Sequence, residues 1–437
     1  MKRMLIAALL LLPAGTWAQV TVNADFFTRG EIRRGGFSTT REIEDGEEGK
    51  DLDYGRANFI VERTKISLDY AADNIEGRLT AQHSGTWGSK EGGDFNVHEA
   101  WMKFVSPKGF FAQIGRQNLS YDDQRIFGSD DWSMTGITHD VLKVGFEGHG
   151  HRLHIFAGYN QNPENMTSGT FYSGGLQPYK AMEAAWYHWD IPRTGIGLSL
   201  LFMDIGMQGG EKGSLDPYLK ATVRRQQMYG TYMTWKPGNL VAEAAYYRQG
   251  GVEEHGLPVD AWMASGKVSY SPGVHLTLYG GYDHLSGDDQ YATPPMGQIG
   301  MIQHDKARGF SSVYGSHHKF YGAMDFFYVT TYYGGFTPGL QNAYGGITWK
   351  PGAKATLDLA YHFLATATQL QNADKPLGHE LEFSGSYSFR DNIKMSIGYS
   401  YMRGTETMVV LKRTTDNRQL QWAWLMLTVT PTIFSSK

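Results

Sequence analysis

The chain has 437 residues, a formal net charge of −4 at pH 7 and no cysteine. The missing thiols exclude disulfides, thiolate metal centres and cysteine nucleophiles and suit an oxidising envelope compartment. The slightly acidic balance argues against a nucleic-acid binder, which needs a strongly basic face. Aromatic residues reach 14% and glycines number 54, yet mean hydropathy is only −0.40. That combination fits a transmembrane β-barrel, in which every second strand residue faces lipid and its neighbours face water.

Lys2 and Arg3 precede an apolar run over 4–12, and a short exit ends in Thr16-Trp17-Ala18. This predicts an export signal over 1–18, cleaved after Ala18; the run is too short for a membrane-spanning helix. The rest, 19–437, reads as one outer-membrane barrel of a Gram-negative bacterium.

Period-2 alternation predicts strands near 20–33, 57–70, 75–87, 95–105, 110–118, 138–147, 151–160, 179–189, 195–206, 220–235, 239–249, 259–270, 274–285, 341–350, 353–366, 378–389, 393–403 and 418–430. In 380–389, Leu381, Phe383, Tyr387 and Phe389 share one face, opposed by Glu380, Glu382, Ser384, Ser386 and Ser388. The fold class is therefore all-β, a transmembrane antiparallel barrel of about 18 strands. Even parity is the rule for single-chain bacterial barrels.

Short and long connections alternate along the chain, as periplasmic turns and outer loops do. Four short ones carry Pro-Gly, at Pro107-Lys108-Gly109, Pro237-Gly238, Pro272-Gly273 and Pro351-Gly352. Proline presets φ and glycine accepts φ > 0, so these are expected as hairpin turns. The interval 286–340 reads as a long outer or constriction loop, although the aromatic stretch 326–333 could supply another strand. The last strand, with Trp422, Trp424, Met426, Leu427 and Val429, is expected to face lipid and close the barrel.

With the apolar face outward, charged residues are placed inward, because Arg or Lys on the lipid face costs about 2–4 kcal/mol at the midplane. The basic pore candidates are Arg63, Arg78, Lys103, Lys143, Arg152 and Arg225; acidic ones include Glu99 and Glu243. They make either a self-neutralising wall or a conduction path with selecting charges. The stretch 115–132, with Arg116, Asp123, Arg125, Asp130, Asp131 and Trp132, runs from a strand top into an outer loop. It suggests a loop tied to the wall by ion pairs, or arginines that meet a passing anion.

Here the chain resembles the alginate-export family of outer-membrane porins. The resemblance rests on Gly115-Arg116-Gln117, Tyr121, Asp123, Arg125, Gly128 and Trp132, on Glu99-Ala100-Trp101, and on 318–322 with Asp325. It implies an 18-stranded barrel with an arginine-lined pore, Arg116 and Arg125 as pore residues and Asp123 as their ion-pair partner. The expected function is passive passage of anionic oligo- or polysaccharides, alginate-like, or of other small polar solutes. A general porin without sugar specificity is the alternative. An outer-membrane hydrolase would need a serine on a histidine with a third orienting group; an adhesin barrel would have a filled lumen. Neither a Gly-x-Ser-x-Gly elbow nor a phosphate-binding loop occurs. Neither cofactor nor metal site is expected: the histidine pairs and Asp130-Asp131 or Asp288-Asp289 lack the spacing of dedicated ligand sets. Expected partners are outer-membrane lipid and lipopolysaccharide, the barrel-assembly machinery and the solute.

Overall fold

The computed structural model describes residues 18–35, 56–163, 167, 172, 177–210, 221–288, 305–327, 337–370, 373–412 and 419–436. The export signal and the acidic stretch 42–53 lie outside these residues. Strands β1 (Gln19–Arg34), β2 (Arg56–Ala72), β3 (Ile75–Thr86), β4 (Asp94–Val105), β5 (Phe110–Gln117), β6 (His139–Gly148), β7 (His151–Tyr159), β8 (Ala181–Ile191) and β9 (Ile196–Gly209) form the first half of the wall. The second half comprises β10 (Thr222–Trp235), β11 (Leu240–Gly251), β12 (Ala261–Gly273), β13 (Leu276–Leu285), β14 (Leu340–Gly352), β15 (Ala355–Ala365), β16 (Pro376–Arg390), β17 (Ile393–Gly404) and β18 (Leu420–Val429). Each strand pairs antiparallel with its neighbours in sequence, and β1 pairs with β18, so the sheet closes. Closure satisfies every backbone edge, which lipid could not.

A final short strand, β19 (Thr432–Ser435), continues β18 along β1. The two are separated at Thr430-Pro431, where proline lacks the amide a regular ladder requires. They make one stave, and the closed wall is an 18-strand barrel.

The alternation follows the sequence. Leu79, Met102, Ile114, Leu142, Ile155, Phe202, Leu359 and Ile397 are exposed on the outer face, where the bilayer stabilises them. Phe104, Phe110, Trp235, Trp349 and Phe389 lie near the short-turn end of this band, and Phe95, Tyr159 and Trp262 near the other. These are the two interfacial girdles of an outer-membrane barrel.

The four Pro-Gly pairs play two roles. Gly109 (φ 86°) and Gly238 (φ 62°) make the expected turns. At Pro272-Gly273 and Pro351-Gly352 the ladder instead shifts register within the strand end, and the reversal comes two residues later. Proline is tolerated at such a bulge because no partner needs its missing N–H.

On the closing strand, Leu425 and Leu427 face out, but Trp422 is fully buried inside and packs against Trp132 at 5.8 Å. Trp424 lies 5.0 Å from the same ring. This corrects the expectation that Trp422, Trp424 and Met426 meet lipid, Met426 being paired with the inward Ser396. They face an interior that is packed.

Candidate functional site

Among the described residues two long outer loops fold into the barrel, and the short helix Glu406–Lys412 buries Met408 and Leu411 in the same core. The first, 119–137, buries Leu119, Tyr121, Ile126 and Phe127; the second, the described part of 286–340, buries Phe310, Tyr314, Tyr321, Phe326 and Phe327. They pack on a lumen wall that is itself apolar: Met182, Ala184, Trp186, Leu201, Met203, Ile205, Met228 and Tyr247. Strands β8 to β11 are thus apolar on both faces over part of their length, one side meeting lipid and the other the loops. The second loop carries a short 3₁₀ turn, His317–Lys319. Residues 328–333 of the suspected extra strand lie outside the described residues.

The loops are joined to each other. Phe127 and Tyr314 form a parallel bridge, and the Gly128 amide donates to the Tyr314 carbonyl at 2.9 Å. The Asp130 carboxylate accepts from the His317 amide at 3.0 Å. Trp132 stacks on His318 with centroids 3.9 Å apart, and His318 Nδ1 stands 3.0 Å from Asp325 Oδ2. His317 and His318 are therefore part of the junction. Six of the nine non-glycine residues with positive φ among the described residues fall in these loops: Asp122, Gln124, Asp130, Val313, Tyr321 and Asp325. Such strain persists only where surrounding contacts over-determine the backbone.

The wall holds the first loop through basic side chains. Arg63 Nη1 donates to the Asp131 and Ser133 carbonyls at 3.0 and 2.9 Å, and Arg29 Nη1 donates to the Trp132 carbonyl at 3.0 Å. Lys65 Nζ lies 3.2 Å from His98 Nε2 and 3.5 Å from Asp131. Carbonyls at the tip of a folded-in loop have lost water, and these cations replace it. The second loop is held by carboxylates. Glu380 and Glu382 accept the Met324 and Ala323 amides at 2.9 and 2.6 Å, and the Gln249 side chain bonds both the carbonyl and the amide of Ser311.

Arg125 ties both loops to the wall. It is 4% exposed; its Nε donates to Asp123 Oδ2 at 3.1 Å and its Nη1 to the Tyr321 hydroxyl at 2.8 Å. Nη1 also lies 3.1 Å from Asp283 Oδ1 on β13, and the guanidinium sits 4.2 Å from the Phe320 ring centroid. Burial opposes its charge, but Tyr321, Asp283 and Asp123 together hold it well above the ordinary arginine value.

Below the loops a polar cavity of about 540 Å³ opens against β10 to β16. Its surface includes Tyr232, Glu243, Lys267, Tyr279, Tyr344, Asp358 and Glu382 from the wall, with Arg125, Lys319 and Phe320 from the loops. Glu243 accepts from the Tyr232 hydroxyl at 2.5 Å. Across the lumen the wall is largely self-neutralised: Arg78 bonds Asp69 at 2.6 Å and lies 3.4 Å from Glu99, while Lys103 lies 3.3 Å from Glu76.

The sequence candidates thus separate by location. Arg78, Glu99, Lys103 and Lys143 lie on the lumen face of β3, β4 and β6. Glu243 borders the cavity; Arg152 faces inward at the short-turn end and pairs with Asp190 at 2.9 Å. Arg63, Asp123 and Arg125 are struts of the loop assembly. Arg116 and Arg225 are on the outer face, contrary to expectation. Arg116 shares that face with Ile114 and pairs bidentately with Asp140 at 2.8 Å. Arg225 sits beside Glu183 and bonds Asp204 at 2.7 Å. Both stand near the outer ends of their strands, above the apolar band, where an outward charge escapes the midplane penalty. Arg29 and Lys65 complete the loop supports, and Tyr279, Asp358 and Lys319 complete the cavity.

One constellation has the connectivity of a hydrolytic triad. His188 Nδ1 lies 2.8 Å from Ser199 Oγ and His188 Nε2 3.0 Å from Asp190 Oδ1. However, Ser199 is 1% exposed and its hydroxyl donates to Asp122 Oδ1 at 2.5 Å, with Trp186 Nε1 donating to the other oxygen at 3.1 Å. The Ser199 hydroxyl proton is thus committed to a carboxylate and is not presented to His188 for transfer. The group therefore anchors the first loop to β8 and β9. Burial pushes the Asp122 carboxyl up to about 6, although Ser199 and Trp186 pull it back. Asp288 likewise serves the loops, accepting the Arg308 and Thr337 amides at 2.8 and 3.1 Å.

Among solved structures, the chain is similar to Pseudomonas aeruginosa OccK3 (OpdO), with a TM-score of 0.60 at 12% identity over 94% of this chain and 96% of that one. It is similar to a BenF-like porin from Pseudomonas fluorescens Pf-5 with a TM-score of 0.60 at 12% identity, covering 95% and 99%. For Pseudomonas aeruginosa OpdL the score is 0.61 at 11% identity, again covering 95% and 99%. No family model matches the sequence, and no curated protein does. These likenesses establish the fold and correct the resemblance to alginate-export porins, since the matching barrels are of the Occ and Opd type. The shared residues around 115–132 were too few to separate one 18-strand family from another.

Proposed function

We propose that this protein is a passive outer-membrane channel for small polar solutes. The observation that carries this reading is the pair of inward loops, locked to the wall by hydrogen bonds and the buried Arg125–Asp283 pair and to each other by hydrogen bonds and ring stacking, above a polar cavity inside an 18-strand barrel. A wall alone gives a wide pore; loops held rigidly in it set a narrow aperture. A cavity of about 540 Å³ is the size of a small-molecule site and too confined for a polymer to thread freely. The binding groups are single hydroxyls and charges, each worth about 0.5–1.5 kcal/mol in a net hydrogen bond. Weak, distributed contacts permit entry and release, as conduction requires.

Swelling of proteoliposomes with solutes of graded size tests the proposal. Rapid entry of ethylene glycol and glycerol with exclusion of maltooligosaccharides is the expected pattern. Entry of long oligomers as fast as glycerol, or of nothing at all, would contradict it.

A further inference from the structure

The cavity under the loops holds carboxylates whose neutralisation is uneven. Asp123 and Asp283 both lie 3.1 Å from Arg125. Glu243 has Lys267 at 4.0 Å. Glu382 receives the Ala323 amide and has His362 Nε2 at 3.4 Å. Asp358 differs. Its Oδ1 accepts from the Tyr279 hydroxyl at 2.8 Å and its Oδ2 from the Thr348 hydroxyl at 2.6 Å; both donors are neutral, and no basic side chain among the described residues pairs with it.

The surroundings of Asp358 are those a cation favours. A Cβ at Gly346 would run into the Tyr279 ring, and one at Gly281 into the Tyr344 ring. Both glycines are on the lumen face, so each tyrosine lies across its neighbour strand with a ring face toward the cavity. Ring faces carry negative electrostatic potential. Tyr279 already holds one ammonium this way, with Lys267 Nζ 5.2 Å from its centroid, and Arg125 sits over Phe320 on the roof.

We propose that Asp358, with Tyr279, Thr348 and Tyr344, forms a station for the ammonium group of a small solute, a simple amine or an amino-acid-sized zwitterion. The inference rests on the channel reading and adds a preference to it. The two hydroxyls orient the carboxylate without cancelling its charge; the Tyr279 face already carries Lys267, and the Tyr344 ring, stacked beside His362, supplies the rest of the recess. Lys319, exposed on the loop roof above, is placed to meet the carboxylate of a zwitterion.

The test compares three two-carbon probes of similar size, ethanolamine, ethylene glycol and glycolate, entering proteoliposomes that hold the full-length barrel. Ethanolamine is expected to enter about two- to fivefold faster than ethylene glycol, the ratio one partly hydrated cation contact gives, and glycolate more slowly than either. In Asp358→Asn the ethanolamine to ethylene glycol ratio falls toward one; in Tyr279→Phe, which keeps the ring and loses the hydroxyl, it falls only in part. Heat-modifiable electrophoretic mobility verifies that each variant is folded. Equal entry of all three probes, or a preference for ethanolamine that survives Asp358→Asn, overturns the station and leaves the channel standing. No entry of ethylene glycol overturns both.

Discussion

Replacing Arg125 with methionine is the most informative single change to the loop assembly. The substitution keeps a long side chain over Phe320 and removes the cation from Asp123, Asp283 and Tyr321. Asp283 is 1% exposed and keeps only the Asn342 side-chain amide, which donates to its Oδ2 at 2.9 Å, so its charge loses its cation. Removing one partner of a buried pair costs about 3–5 kcal/mol. That shifts the docked-to-undocked ratio of the loops by roughly two to four powers of ten. The wall should survive, because its ladder of paired strands does not involve Arg125. Single-channel recording should show higher conductance and frequent flicker in Arg125→Met, with unchanged heat-modifiable mobility. Arg125→Lys, which keeps the charge and loses the planar fork, should fall between. The double variant Arg125→Met/Asp283→Asn should regain part of the quiet closed-loop behaviour by removing the stranded charge. Wild-type conductance and quiet traces in Arg125→Met would refute the claim that this ion pair holds the aperture.

Other consequences follow from the same contacts. The Asp122 carboxyl, pushed up to about 6 by burial, binds its proton more readily when the loop is docked. Docking is therefore favoured as pH falls from about 6 to about 4, by at most about 3 kcal/mol, and current noise should drop over that window. Asp122→Asn should flatten the dependence; a slope that persists in the variant would exclude this group as its source. Arg116→Gln and Arg225→Gln, which disturb outward-facing pairs, should change thermal stability by no more than about 1 kcal/mol and leave conductance unaltered. Arg63→Met, which withdraws the donors to Asp131 and Ser133, should loosen the first loop and raise channel noise. Deleting 418–437 removes the stave that pairs with β1, so the heat-modifiable band should be lost.

The wall was legible because its physics is local. Lipid outside and water or a packed interior within impose a period of two, and the predicted strand limits fall within three residues of the observed ones. Arg225 was misplaced for a related reason: above the lipid band, 222–227 holds a single apolar residue, Val223, and hydropathy there barely distinguishes outside from inside. The Pro-Gly pairs show a different limit, since proline's missing donor suits a bulge as well as a turn, and only the partner strand decides. The loop assembly was hardest to read because its contacts join residues nearly two hundred positions apart, such as Arg125 and Tyr321. A signal was present nonetheless. In β9, Leu198, Leu200 and Phe202 point outward while Leu201, Met203 and Ile205 point inward. A barrel strand apolar on both faces has to bury its inner side against something, and the only candidates are the loops. The same reasoning turns lumen arginines such as Arg63 from ligands into supports.

The central claim, that the barrel is an open channel narrowed by its two inward loops, is tested most directly by planar-bilayer recording of the purified, folded protein. Small, steady unitary currents in the wild type that grow when Arg125 is replaced by methionine are the predicted result. A wild-type barrel that passes no current would contradict the account.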